Sequence, residues 1–301
     1  RRVRANGVFY DKCSNYKESL ELQLGALQES LSYKADIANF LEPWYGIGYI
    51  ASSFGSHYRW LESQAPSVEA KFTSAKEILN SDYIPIAQTP EGRYNLEMIE
   101  YFMEKTKGKV PISFGDIQSP LNMLGYLLPV TDLFMEVYED PESLKEVAKL
   151  CGQLLVEFLK EQKKIIKESL ASPGHGFASS RAFTGVGLSD DNSTMVSEST
   201  YNELFKEVDE AIGDKFGGLA YHSCGDWEKK ISMVKEFRNI CCADGAFTIE
   251  TDPNPNDPEA FADEFAGSGI VLNARAVGNG KNSFAAFKKL WRPNQKLICV
   301  T

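Results

Sequence analysis

From residue 218 to the end, the chain alternates between two hydrophobic rhythms. Short apolar runs at 218–223, 245–250, 269–274 and 296–300 read as strands, with amphipathic segments between them. Trp227, Ile231, Val234 and Phe237 recur at helical spacing, as do Phe284, Phe287 and Leu290. Asp257-Pro258-Glu259 offers an N-cap, a first-turn proline and a first-turn acid. Strand and helix therefore alternate with a period of about 25 residues, which argues for a parallel sheet.

The rest of the chain extends the same pattern. Asp140-Pro141-Glu142 opens a long helix whose apolar stripe is Leu144, Val147, Cys151, Leu154, Leu155, Phe158, Ile165 and Ile166. Ser197 caps a helix carrying Leu204, Phe205, Val208 and Ile212. Further strands are expected at 110–114, near 176–178, before Ser189, and near 37–41, where the chain runs into Glu42-Pro43-Trp44-Tyr45-Gly46. Leu20, Leu24, Leu27 and Leu31 mark an N-terminal helix. About seven or eight strands in one chain of this length suggest a (β/α)8 barrel, with an open doubly wound sheet as the alternative. The glycine-rich phosphate loop of many doubly wound domains is missing, and neither Gly185-Val186-Gly187 nor Gly278-Asn279-Gly280 fits it. The expected organisation is an α/β chain: a helical extension over 1–34, then a barrel over 35–301 with its C-terminus open to truncation.

The chain has 301 residues and a formal net charge of −10, which argues against a nucleic-acid surface. Arg1-Arg2-Val3-Arg4 reads as the ragged end of a fragment. No apolar run reaches membrane-spanning length. Six scattered cysteines do not resemble a disulfide framework, and a reducing cytoplasm is the expected setting. Cys151 reads as a buried small hydrophobe, and Cys241-Cys242 as structural.

Against this background, His222-Ser223-Cys224-Gly225-Asp226 stands out, because the chain has only three histidines. Residues i and i+2 of a strand share a face, so an imidazole and a thiol stand side by side at a strand end. Two ligands of a zinc ion can be presented in this way; equally, the pair can be a turn and a core residue. Cys299, near the end of the last strand run, offers a third ligand and leaves a fourth position open. Asp190 and Asp191, at a strand-to-helix turn, could orient a substrate or carry a proton, or form a solvated helix entry. Glu42 beside Trp44 could line a pocket, although Trp44 equally suits a core. Asp116, in Gly115-Asp116-Ile117-Gln118, sits in a polar turn with the same ambiguity. Gly174-His175-Gly176 reads as a flexible turn, and His57 as structural or exposed.

Taken together, four segments resemble the uroporphyrinogen decarboxylase superfamily, and within it the zinc-dependent, corrinoid-linked methyltransferases. They are His222-Ser223-Cys224-Gly225-Asp226; Ser189-Asp190-Asp191 with Ser197 and Tyr201; Tyr138-Glu139-Asp140-Pro141-Glu142; and the run from Phe40-Leu41-Glu42-Pro43-Trp44 to Phe54-Gly55. The resemblance implies a (β/α)8 barrel with its site at the mouth and zinc held by His222, Cys224 and Cys299. Leu297-Ile298 stand before Cys299 where that family often has glycine. The resemblance further implies a methyl group moving between a small molecule and a corrinoid (cobalamin). The small molecule would be a methyl ether, such as a methoxylated aromatic, or a thiol, such as coenzyme M. The chain lacks an Asp-x-His-x-x-Gly corrinoid signature, so a partner corrinoid protein is expected to carry that cofactor. Glu42-Pro43-Trp44-Tyr45-Gly46 is more similar to O-demethylase methyltransferases than to the coenzyme M enzymes. A metal-free tetrapyrrole decarboxylase is the alternative, and a non-catalytic binding module the third reading. The N-terminal helix could serve a homodimer interface.

Overall fold

The computed structural model describes residues 10–33, 36 and 38–301. These fall into two compact units. One runs to His175 and takes in Ser179–Phe183; the other comprises Gly176–Ala178 and Thr184–Thr301. Arg1-Arg2-Val3-Arg4 and Ile37 lie outside the described residues.

In the first unit, β1 (Ile112–Ser113) pairs in parallel with β2 (Leu170–Ala171), and Leu41 forms a parallel bridge to Ile112 on β1. The expected strand at 37–41 is reduced to this bridge. The strand expected near 176–178 lies earlier, at β2. Ser172-Pro173 ends it, because proline cannot donate to a ladder, and Gly174 (φ 121°) and Gly176 (φ 78°) then take left-handed turns. The long helix Pro141–Ile166 starts on Asp140, whose carboxylate accepts the Ser143 N–H. It buries Leu144, Val147, Cys151, Leu154, Leu155 and Phe158, as its stripe requires. Complete burial pushes the Cys151 thiol up to about 12, so this residue packs as an inert hydrophobe. The helix Tyr16–Ser30 precedes the Leu41 bridge, and Gln23 clamps the Glu42 backbone, donating to its carbonyl and accepting from its N–H at 2.8 Å each.

In the second unit, β3 (Val186–Ser189), β4 (Leu219–His222), β5 (Ile240–Ala246), β6 (Val271–Arg275) and β7 (Lys296–Val300) form one parallel sheet in chain order. Helices between successive strands include Lys206–Phe216, Pro258–Phe265 and Gly280–Leu290. The strand expected at 245–250 is β5, displaced toward the N-terminus. Thr248 instead opens a turn that accepts from the Thr251 and Asp252 amides. Trp227, only 1 % exposed, anchors the layer behind β4 through edge contacts with Tyr221 and Phe261.

Among the described residues, β1 to β7 pair only in parallel. The first unit holds a two-stranded parallel sheet with the Leu41 bridge beside it, and the second a five-stranded parallel sheet, the strand arrangement of α/β folds such as the (β/α)8 barrel. The fold class is α/β of that barrel kind, with a helix ahead of the first segment. Among the described residues no helix is long and apolar enough to cross a membrane.

Candidate functional site

Parallel register brings one residue from each of β3, β4, β5 and β6 into a row: Ser189 pairs with His222, His222 with Asp244, and Asp244 with Asn273. In-register residues share a face of the sheet, and these lie at or near the carboxyl ends of their strands, where ligands gather in parallel folds. His222 Nδ1 lies 2.7 Å from Asp244 Oδ2. Since a carboxylate can only accept, the contact places the proton on Nδ1 and leaves Nε2 as a free donor of electrons. Nε2 is 3.8 Å from Cys224 Sγ.

Asp191, His222 and Cys224 each offer one ligand atom, and these atoms all lie within 4.8 Å of one another. Zinc–nitrogen and zinc–sulfur bonds of about 2.1 and 2.3 Å at a tetrahedral angle put the two donors about 3.6 Å apart. The observed separation is therefore close to what a single ion needs, and the donor set suits zinc. Asp191 Oδ1 also accepts the Cys224 N–H at 2.6 Å. Cys224 is exposed as a residue, but its sulfur lies beside the buried His222. Burial first, and the Asp191 charge second, push its thiol up to about 12, against the pull of Arg275. A thiol in that state needs a cation before it can serve as thiolate.

Asp244 is completely buried. Burial raises its carboxyl, but the Arg275 guanidinium, with hydrogen bonds from His222 and Asn273, overcomes this and holds it below the ordinary carboxylate range. Arg275 Nε donates at 2.7 Å and Asn273 Nδ2 at 2.5 Å. Asn273 also clamps the 176–178 segment, donating to the Gly176 carbonyl and accepting from Ala178 N–H. The turn after β4 is pinned by Asp252, which accepts from Gly225 N–H, and by Asn256, which accepts from Trp227 N–H.

Cys299 does not join this group. It pairs with Ala274 on β6, one residue out of phase with Asn273 and Arg275, so it belongs to the opposite face of the sheet. It is exposed there. Asp191, not Cys299, lies with His222 and Cys224 and offers the third possible donor atom. Asp190 is 1 % exposed and accepts from the Tyr201 hydroxyl.

The other expected site residues belong to the first unit. His175 places Nδ1 2.5 Å from Glu42 Oε1 and Nε2 3.3 Å from Asp116 Oδ2. Carboxylates only accept, so a doubly protonated ring satisfies both contacts. Gln118 donates to Asp116, and Asn122 to Gln118. Trp44 is half-buried and bonds its N–H to the Glu42 carbonyl. Asp116 and Gln118 border a small cavity with Tyr49, Leu155 and Phe158, and the buried Tyr49 hydroxyl has no hydrogen-bond partner among the described residues.

The sequence does not mark His175, Asp244, Asn273 or Arg275 as site residues. Asp244 would have been visible had β5 been bounded correctly, since alternation along 240–246 sets it on the His222 face. His175 carried no such signal, because its partners come from Glu42 and Asp116 at long range in a loop.

The model of the family described as uroporphyrinogen decarboxylase (URO-D) matches residues 1–165. No curated protein sequence matches the chain. Among solved structures, a methyltransferase from Methanosarcina mazei has a TM-score of 0.68 at 13 % identity, covering 94 % of this chain and 78 % of its own.

Proposed function

Because the chain belongs to the uroporphyrinogen decarboxylase family, we propose that it is a methyltransferase in which a zinc ion assists methyl transfer between a small molecule and the corrinoid of a partner protein. The reading is carried by one observation: His222 Nε2, Cys224 Sγ and an Asp191 oxygen converge within 4.8 Å, with His222 oriented from behind by Asp244. The resemblance in fold to a methyltransferase is consistent with it.

Bound there, zinc would supply Lewis acidity toward an ether oxygen or lower the pKa of a substrate thiol. The residues divide the remaining work. Asp244 fixes the tautomer and aim of His222, and Arg275 and Asn273 hold Asp244. Cys224 would hold the ion as a thiolate, its proton going to solvent. Asp191 adds a harder donor than a second thiolate would, which suits an oxygen ligand better than a sulfur one. The favoured substrate is therefore a methyl ether such as a methoxylated aromatic. In the first unit, Glu42 and Asp116 are assigned to holding His175, and Trp44 to the wall beside it.

Two measurements test the reading. Metal analysis of the purified protein should give one zinc per chain, lost in Cys224→Ser. Incubation with methoxylated aromatics and a reduced corrinoid protein should methylate the corrinoid. Substoichiometric zinc that is unchanged in Cys224→Ser would sink the reading. Turnover of coenzyme M with methylcobalamin, and none of the ethers, would shift the substrate class to thiols; turnover of uroporphyrinogen would replace methyl transfer with decarboxylation.

A further inference from the structure

The adjacent aspartates of the turn after β3 have opposite surroundings. Asp191 is exposed and contributes to the candidate metal centre, whereas Asp190 is buried and meets the Tyr201 hydroxyl. Tyr201, fully buried on the helix Glu198–Leu204, also bonds the buried Asp209 of the helix Lys206–Phe216. A phenol carries one hydrogen. It can donate to one carboxylate and must then accept from the other, which holds a proton of its own. Asp209 fills that second role: burial, and then the charge of Asp190, raise its carboxyl well above the ordinary range. Backbone contacts finish the lock. Asp190 N–H donates to the His222 carbonyl at 2.7 Å, and Ser193 Oγ donates to the Asp190 carbonyl at 2.6 Å. Neither Tyr201 nor Asp209 belongs to the group of candidate ligands.

We propose that Tyr201 and Asp209 are positioning residues that act through Asp190 to hold the Asp191 carboxylate in place as the third donor of the metal centre. This inference rests on the metal reading above. Without the bridging hydroxyl, two buried carboxyls face each other in a low-dielectric interior. The 189–193 turn relieves that conflict by moving, and Asp191 moves with it. An amide at position 209 donates where the carboxylic acid donates, so Asp209→Asn preserves the staple, whereas Asp209→Leu and Tyr201→Phe break it.

The test is zinc affinity by competition with a chromophoric chelator, together with the visible spectrum of the cobalt(II)-loaded protein, each variant being checked for folding by thermal melting. Tyr201→Phe and Asp209→Leu are expected to bind zinc about 10–100-fold more weakly, the range for groups that orient ligands. Their cobalt spectra should change while the protein stays folded. Asp209→Asn should match wild type in both. A folded Tyr201→Phe with wild-type affinity and spectrum overturns the inference, and so does a folded Asp209→Asn with weakened binding, even if the other two variants do not fold. A wild-type protein that binds neither zinc nor cobalt overturns the metal reading itself, and this inference with it.

Discussion

Asp244 has no exposure to water, and its two oxygens serve His222, Arg275 and Asn273 at once. Replacing it with asparagine removes the charge that both fixes the imidazole and balances the guanidinium. Zinc affinity should fall about 10–100-fold, as measured by chelator competition. Stability should fall by about 3–5 kcal/mol in urea denaturation, because Arg275 is left as a mostly buried, unpaired charge. The cysteines give a sharper contrast. Cys224→Ser should lose bound zinc, and Cys299→Ser should keep a full equivalent by metal analysis; equal loss in both would place Cys299 among the ligands. The His222–Cys224 pair was legible because two-residue periodicity is a local rule. The phase of Cys299 was not, because it depends on which residue of β6 it pairs with, and no local pattern sets that register.

At the level of elements, the signals that survived were those with short-range causes. Ser197 was expected to cap a helix, and its Oγ accepts the Thr200 N–H at 3.1 Å. Asp140 and Asp257 cap theirs in the same way. Ser197→Ala should cost about 1 kcal/mol. Melting should come a few degrees earlier, while zinc stoichiometry stays at the wild-type value. Reduced stoichiometry would mean that this helix start, four residues before Tyr201, contributes to the metal centre directly. Strand bounds were harder to read. The apolar run from Gly245 reads as a strand, whereas β5 takes in Cys241-Cys242-Ala243-Asp244 and ends at Ala246. Asp244 is tolerated inside β5 only because Arg275 and His222 arrive from other elements to pair with it. The 174–176 turn concealed His175 for the same reason: its meaning lies in partners 133 residues away in the case of Glu42.

On the scale of the whole molecule, the staple beneath the site couples folding to pH. The folded chain keeps a proton on Asp209, because burial and then Asp190 disfavour its charged form. In the unfolded chain the same carboxyl titrates near the ordinary aspartate value of about 3.9. Above that pH the folded state binds one more proton than the unfolded state, so this group makes stability fall as pH rises, by up to about 1.4 kcal/mol per pH unit. The loss continues until pH passes the raised folded pKa; below the unfolded value the group contributes no slope. Asp209→Asn carries the same hydrogen-bond donor without a titrating proton. Its stability relative to wild type should therefore grow between about pH 5 and about pH 7, when urea denaturation curves are compared at each pH. Parallel curves for the two proteins would mean that Asp209 is ionised in the folded chain. Tyr201 would then face two charged carboxylates with one hydrogen, an arrangement that the bridging geometry at Asp190 and Asp209 does not support.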